Sequence, residues 1–153
     1  MLYTPGQLRD AVGLSKEAFR HWKGVIPALS TARGHAPSFT LGDVLASAVL
    51  RHLTDACGVR IGHLAAVAPA IFEVCNAAPL EAIEDQLLAI ELGSQRCVAV
   101  GDAKSIPLTE LTIVCPMSSV VRQFREQLLN PPTRKGSNKS ALRTGSNERR
   151  LAQ

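Results

Sequence analysis

Three basic residues at helical spacing are the side chains best suited to contact another molecule. Lys16, Arg20 and Lys23 recur at intervals of four and three residues, which places them on one face of a helix that begins after Ser15. His21 lies beside them. A helix fits the major groove of B-DNA, where Lys and Arg contact phosphates or guanine edges. The pattern predicts a DNA-contacting helix, and a solvated basic face is the alternative.

Cysteines and histidines give weaker indications of chemistry. The four cysteines lie far apart and form no CxxC pair, so neither a zinc ribbon nor a disulfide framework is predicted. We interpret them as free thiols, with metal or redox sensing through Cys97 and Cys115 as the alternative. His52 and His63 have no second His or Cys four residues further on, so we do not predict them to be metal ligands.

Catalytic motifs are absent from the sequence. It contains no nucleophile elbow and no metalloprotease pair, and Gly101-Asp102-Ala103-Lys104-Ser105 lacks the spacing of a P-loop. A chain of 153 residues with 46% apolar residues fits one compact domain, or a small domain with an appendage, and excludes a large multidomain enzyme. We therefore expect a protein that is not an enzyme and needs no cofactor or metal.

Positive charge is concentrated at the two ends of the chain. Residues 1–40 carry five Lys and Arg against two Asp and Glu, residues 41–129 carry six against ten, and residues 130–153 carry six against one. The net charge of +4 suits a polyanionic partner. Residues 130–153 have almost no apolar side chains to bury, so we predict a disordered basic tail. This tail either contacts phosphates without sequence preference or is a solvated linker.

Membrane and export signals are also missing. No stretch approaches the roughly 18 uninterrupted apolar residues of a membrane span, and the first residues do not resemble a signal peptide. We expect a soluble, cytoplasmic protein with no membrane contact.

Capping patterns define the first two helices. Thr4-Pro5-Gly6-Gln7 is a capping box, and Pro5 is favoured at the first helical position. Gly13 is typical of the left-handed residue that ends a helix. Ser15 is a second N-cap, and we expect its helix to stop at Gly24. Two short helices joined by a tight turn, the second of them basic on its outer face, are typical of a helix-turn-helix.

A third capping pattern follows a loop. Residues 25–29 form a short apolar connection, and residues 33–39 are predicted to be a loop or hairpin tip. Thr40-Leu41-Gly42-Asp43 then predicts a helix that runs to about Ala56 and is ended by Gly58.

In this order the motifs resemble the winged-helix domain of the MerR family of bacterial transcription regulators. The residues that carry the resemblance are Tyr3-Thr4-Pro5-Gly6-Gln7-Leu8, Ala11-Val12-Gly13-Leu14-Ser15, Phe19-Arg20-His21-Trp22, Ile26-Pro27, Phe39-Thr40, Asp43-Val44, and Gly58 before Ile61. The resemblance covers about the first seventy residues. It implies that the second helix enters the major groove and that the hairpin after it forms a wing against the DNA backbone.

The resemblance also implies which residues contact DNA. The predicted DNA-binding residues are Thr4, Ser15, Lys16, Arg20, His21, Lys23, Arg33 and His35. Arg33 and His35 belong to the wing, which is less basic than is usual in the family. His21 and Trp22 follow the helical Arg where the family usually has two tyrosines, and we interpret Trp22 and Phe39 as core anchors rather than base-stacking residues.

Short strands follow in the second half of the chain. Gln86–Leu92 and Arg96–Val100 flank a predicted three-residue hairpin loop, and Leu111–Cys115 is a third strand candidate. These three strands are expected to form a small sheet with exposed edges, which favours pairing with a second copy of the chain.

Two further helical segments flank the strands. Residues 60–77 are predicted to be helical, with Pro69 kinking or dividing the helix. A last helix is expected to be capped by Ser118 or Ser119 and to bury one apolar face. That face comprises Val120, Val121, Phe124 and Leu128.

Together these patterns predict an α+β protein, in which a MerR-like winged helix precedes a small sheet of about three strands and a C-terminal helix. We expect a winged helix-turn-helix domain over 1–77, a small α+β dimerisation or partner domain over 78–129, and the tail over 130–153.

The function predicted for this organisation is sequence-specific binding of double-stranded DNA by a homodimeric transcriptional regulator. An architectural DNA-bending protein of the excisionase type is one alternative, and a protein-interaction module without DNA binding is another. Whether the second half also senses a small-molecule effector stays open.

Overall fold

The computed structural model of the protein describes residues 1–31 and 34–130. Within these residues the chain forms eight helices and a three-stranded antiparallel sheet, which confirms the predicted α+β class. The helices are α1 (Pro5–Val12), α2 (Lys16–Val25), α3 (Pro27–Ser30), α4 (Leu41–Cys57), α5 (Ile61–Leu64), α6 (Ala68–Ala77), α7 (Leu80–Glu84) and α8 (Met117–Leu129). The strands are β1 (Leu87–Glu91), β2 (Arg96–Val100) and β3 (Thr112–Pro116), and a short 3₁₀ turn spans Ala103–Ser105.

The capping box predicted for the first helix is present. The Thr4 hydroxyl accepts a hydrogen bond from the Gln7 backbone N–H at 3.1 Å, and the Gln7 side chain accepts one from the Thr4 N–H at 2.9 Å. Gly13 ends α1 in the left-handed conformation with φ of 75°. Both ends of α1 are therefore set by local chemistry, as predicted.

The second helix begins as predicted but ends two residues later than expected. The Ser15 hydroxyl caps α2 by accepting from the Ala18 N–H at 3.0 Å. The predicted stop at Gly24 was wrong, because α2 continues to Val25 and Ile26 is its C-cap. Pro27 is the physical reason, since a proline disfavours the helical conformation of the residue before it. Pro27 then opens α3, so the predicted apolar connection contains a helical turn.

Side chains of α4 and α6 tie the start of α4 to the end of α6. Thr40 and Asp43 form the predicted capping box, with bonds of 3.1 Å and 2.9 Å. Asn76 accepts from the Thr40 hydroxyl at 2.6 Å and donates to Asp43 at 3.0 Å. Gly42 permits this approach, because a Cβ there would lie 2.8 Å from the Asn76 Cα. At its other end α4 reaches Cys57 before Gly58, one residue beyond the expected end.

Proline positions explain the remaining helix boundaries. Pro69 lies in the first turn of α6, so the helix predicted over 60–77 is divided into α5 and α6. The Ser118 or Ser119 cap was wrong, because α8 begins at Met117 with Pro116 at its N-cap and no side-chain cap. Met117 is fully buried and its N–H donates to the Gln86 carbonyl at 3.0 Å, which holds the helix start against the sheet.

The sheet has the order β2-β1-β3, with both neighbours antiparallel to β1. The loop between β1 and β2 has four residues rather than three, because β1 ends at Glu91. Inside this loop, Ser94 donates from its hydroxyl to Glu91 at 2.8 Å and from its backbone N–H to Glu110 at 3.1 Å. Gln95 takes the left-handed conformation that closes the turn, with φ of 58°.

One hydrophobic cluster joins the two halves of the described chain. Leu88 and Ile90 are fully buried on the inner face of β1, opposite Cys115 and Cys97 of the flanking strands. The helix α8 packs on α1 and α4 through buried residues that include Phe124, and α6 packs on β2 and α4. Leu128, which was predicted to be buried, is 49% exposed. None of the helices described is long and apolar enough to cross a membrane.

Three of the four cysteines are core residues. Cys75, Cys97 and Cys115 are buried, whereas Cys57 is exposed. Burial raises the pKa of Cys75 and Cys97 to about 12 and that of Cys115 to about 11, and neighbouring thiols add to the effect. Such thiols stay protonated and unreactive near neutral pH. The described residues also contain no His, Cys, Asp and Glu group placed to hold a metal ion.

These buried thiols predict a loss of stability in alkali. As the pH rises above the ordinary thiol pKa of 9.0, the unfolded chain loses its protons first and the free energy of unfolding falls. Each buried thiol contributes a decline of at most about 1.4 kcal/mol per pH unit. Urea unfolding between pH 7.5 and pH 10.5 should show a shallower decline for Cys97→Ala than for the unmodified protein. Cys57→Ala is the matched control, and identical slopes in all three proteins would contradict the assignment.

A pair of glycine substitutions tests the end of α1. Gly13→Ala should lower the free energy of unfolding by about 1 to 2 kcal/mol, because an alanine is strained at this φ. The added methyl group also meets the Gln127 side chain at 2.8 Å. Gly24→Ala should instead stabilise the protein by up to about 1 kcal/mol, because Gly24 is helical and no atom lies within 4 Å of the added group. Equal effects of the two substitutions would contradict this account.

Candidate nucleic-acid interface

The outer face of α2 carries the basic residues that the sequence singled out. Lys16, Arg20 and His21 are exposed, and Lys23 is half-buried. On the opposite face Phe19 and Trp22 are buried in the core, as predicted for Trp22. The packing therefore fixes the rotation of α2 and leaves its basic face outward.

The start of α2 adds a positive end to this face. Ser15 is exposed, and its hydroxyl oxygen caps the Ala18 N–H. The first backbone N–H groups of the helix and its dipole favour an anion at this end. Lys16 reinforces the effect, while the exposed carboxylate of Glu17 in the same turn opposes it.

The end of the predicted wing is bonded to Tyr3, which lies two residues before α1. Tyr3 and Phe39 form an antiparallel bridge, in which Tyr3 donates to the Phe39 carbonyl at 2.7 Å and Phe39 donates back at 3.1 Å. Phe39 is buried, as expected of a core anchor. His35 lies in the exposed turn at 34–38, and Arg33 lies outside the described residues.

Thr4 has a structural role that does not require DNA. Its hydroxyl oxygen caps the Gln7 N–H and its own N–H is bonded to the Gln7 side chain. The side chain is half-buried at the start of α1. A contact between Thr4 and DNA stays a prediction.

Two further residues of basic type belong to α5, which packs against α2, and neither was predicted to contact DNA. Arg60 is the N-cap of α5 and His63 lies within it, and both are exposed. His63 was interpreted as a helix residue rather than a metal ligand, and Arg60 was given no role, because both lie more than thirty residues beyond α2 in the sequence. A basic residue two positions after the Gly58 stop was the available signal.

Most of the described cations outside this surface are ion-paired, with Lys104 and Arg122 as the exceptions. The cations that pair with carboxylates there are Arg9, Arg51, Arg96 and Arg125. Lys16, Arg20 and Arg60 pair with no carboxylate of the described residues. Their charges are available to an external anion at no cost of breaking an ion pair.

The overall charge of the described residues makes this local arrangement important. Residues 1–31 and 34–130 carry ten Lys and Arg against twelve Asp and Glu. Attraction of this part of the chain to a polyanion therefore depends on the concentration of cations at α2 and α5, and not on its net charge.

Comparisons with known proteins do not identify a function for this surface. No protein-family model matches the chain, and none of the curated proteins or solved structures is similar to it. The likeness to MerR winged helices consequently depends on the order of the N-terminal motifs.

Proposed function

We propose that the protein binds double-stranded DNA through α2. The observation that carries the proposal is the exposed, unpaired basic face of Lys16 and Arg20 on a helix whose other face is anchored by Phe19 and Trp22. In this arrangement α2 enters the major groove with its N-terminal end leading.

Different residues serve affinity and sequence preference in this proposal. Arg20 is central on the exposed face of α2, where its guanidinium can donate two parallel hydrogen bonds to guanine. Lys16, at the start of α2, and Arg60, at the N-cap of α5, contact phosphates in this proposal, which position the helix without reading sequence. His35 belongs to the turn after α3 and contacts the neighbouring backbone, as the wing of a MerR-like domain does.

We further propose that the protein acts as a homodimer that regulates transcription in the cytoplasm. Helix-turn-helix proteins commonly read two half-sites related by the symmetry of the dimer. The second half has apolar surface to contribute, since Val114 on the outer sheet face is 42% exposed and Leu108 and Leu111 are each 83% exposed. A second copy of the chain covers this surface in the proposed dimer.

Selection of binding sites from random duplex DNA tests the proposal. The unmodified protein should enrich an inverted repeat whose half-sites lie about one helical turn apart. Arg20→Ala should cost about 1 to 3 kcal/mol of binding free energy and relax one position of the motif. Arg60→Ala should weaken binding to all sequences alike. Arg122→Ala, an exposed arginine on α8, is the matched control and should change neither affinity nor motif.

Each of the other outcomes would support a different function. Salt-sensitive binding with no enriched motif would replace the proposal with architectural DNA bending. Absence of DNA binding at moderate salt would replace it with a protein-interaction module.

Truncation after Asn130 tests the role expected of the basic tail, whose residues 131–153 lie outside the described chain. If the tail contacts phosphates, the truncated protein should show a shallower dependence of log affinity on log salt, by up to about 0.9 per lost contact. The selected motif should be unchanged. An unchanged salt dependence would leave the tail without a part in DNA binding.

A further inference from the structure

One edge of the sheet is open in the described part of the chain. The strand order β2-β1-β3 leaves one edge of β2 and one edge of β3 without a neighbouring strand. The helix α6 packs on β2, whereas β1 is the only described helix or strand with which β3 makes extensive contact. Charged residues commonly protect an edge strand from pairing, and β3 contains none. The free edge of β3 is therefore suited to pairing with another strand.

The ladder between β1 and β3 shows which backbone groups point to this open edge. Met117, directly after β3, donates its N–H to the Gln86 carbonyl at 3.0 Å, on the β1 side. Backbone groups alternate along a strand, so those of residues 112, 114 and 116 point away from β1. Pro116 has no N–H to leave unpaired there, which fits its position at an edge. Thr112 and Val114 thus offer N–H and C=O groups, and Pro116 offers a C=O group alone.

Apolar side chains are exposed beside these backbone groups. Val114 lies opposite Ala89 on the outer face of the sheet and is 42% exposed. Leu111, directly before β3, and Leu108 are each 83% exposed. Recognition by strand addition uses main-chain hydrogen bonds together with contacts to side chains. The edge of β3 offers both.

We propose that two copies of the chain pair antiparallel through β3 and join their sheets into one. The proposal rests on the homodimer proposed above and assigns its interface. Val114 lies opposite the partner's Val114 on the two-fold axis, which brings together the most exposed side chains of the strand's apolar face. The two valines donate to each other's carbonyls, and each Thr112 N–H donates to the Pro116 carbonyl of the other copy.

Two features favour a second copy of the chain in this register. Pairing β3 with β3 uses the same surface of both copies, so the assembly closes at two copies. The register also places Glu110 of one copy opposite Ser118 of the other, in the first turn of α8. That helix has 13 residues and no side-chain cap, and its N-terminal end favours a negative charge. The two ends of the paired segment are therefore complementary in charge.

Disulfide cross-linking of the full chain tests the register. All variants carry Cys57→Ser, because Cys57 is the exposed cysteine. Val114→Cys should form a covalent dimer on mild oxidation, because the Cα atoms of a hydrogen-bonded pair are about 5.5 Å apart, within the range of a disulfide. Thr112→Cys, on the same strand and sheet face, is the matched control. Its two copies would lie about 14 Å apart along the strands and should not cross-link.

Charge substitutions at the same position test the pairing without a disulfide. Val114→Lys and Val114→Glu should each raise the dimer dissociation constant about tenfold or more in sedimentation equilibrium, because like charges then face each other across the axis. An equimolar mixture of the two variants should recover the dimer. Leu129→Lys, at a position of α8 that is 80% exposed, is the matched control and should leave the constant unchanged. Circular dichroism establishes that each variant is folded.

The outcomes distinguish failure of this interface from failure of the proposed function. A dimer that does not cross-link through Val114→Cys and is unaffected by Val114→Lys would overturn pairing through β3 and retain the homodimer. Equal cross-linking of Val114→Cys and Thr112→Cys would overturn the register and with it the proposal. An unmodified protein that stays monomeric at every concentration measured would overturn both the interface and the homodimer. DNA binding through α2 is measured separately by the selection of binding sites.

Discussion

The burial of α4 is the constraint on which the rest of the structure depends. This helix is covered by α1, α5, α6 and α8, so its buried residues occupy more than one face. Its one fully buried polar side chain, Ser47, donates to the Asp43 carbonyl at 2.8 Å and leaves no donor unpaired. The hydrogen bonds between Asn76 and the α4 capping box then fix where the helix starts relative to α6. A shift in the start of α4 would displace every helix that packs on it.

The core positions the candidate interface indirectly, through a helix that lies between α4 and α2. Contacts link α2 to α3 and α5, and α5 in turn packs on α4. Phe19 and Trp22 supply the buried side of α2, and the bridge between Tyr3 and Phe39 holds the turn that follows it. Because these anchors belong to the folded core, the proposed DNA binding through α2 would require little ordering of the described backbone. Preorganisation of this kind lowers the entropic cost of ordering the protein on binding, so less of the favourable free energy of the contacts is lost.

Local chemistry explains why much of the fold could be predicted from the sequence. Thr4, Ser15 and Thr40 act within three residues of their own positions, so the starts of α1, α2 and α4 were found correctly. Gly24 and Ser118 misled the prediction, because the prolines at 27 and 116 and the buried Met117 decide those boundaries through backbone sterics and packing.

Contacts between distant segments could not be predicted from capping patterns and periodicity. The sequence contains no sign that α8 packs on α1 and α4, which places the buried residues of the two predicted domains in one cluster. The same limit applies to the interface, where α5, with Arg60 at its N-cap, packs against α2 although more than thirty residues of chain separate the two helices. Periodicity and capping describe an element and its ends, whereas the neighbours of an element follow from the shapes of its buried side chains.

The distribution of charge gives the candidate interface an orientation. The described residues have slightly more acids than bases, yet Lys16, Arg20 and Arg60 form no ion pair with the acids described. The segment before β3 and helix α7 carry carboxylates instead, among them Glu110, Glu81 and the paired Glu84. In the proposed complex a polyanion would be repelled from those surfaces and attracted to α2, so the same charges that lower net attraction would favour one approach over the others. An uneven placement of charge would then orient the ligand without a strongly basic fold.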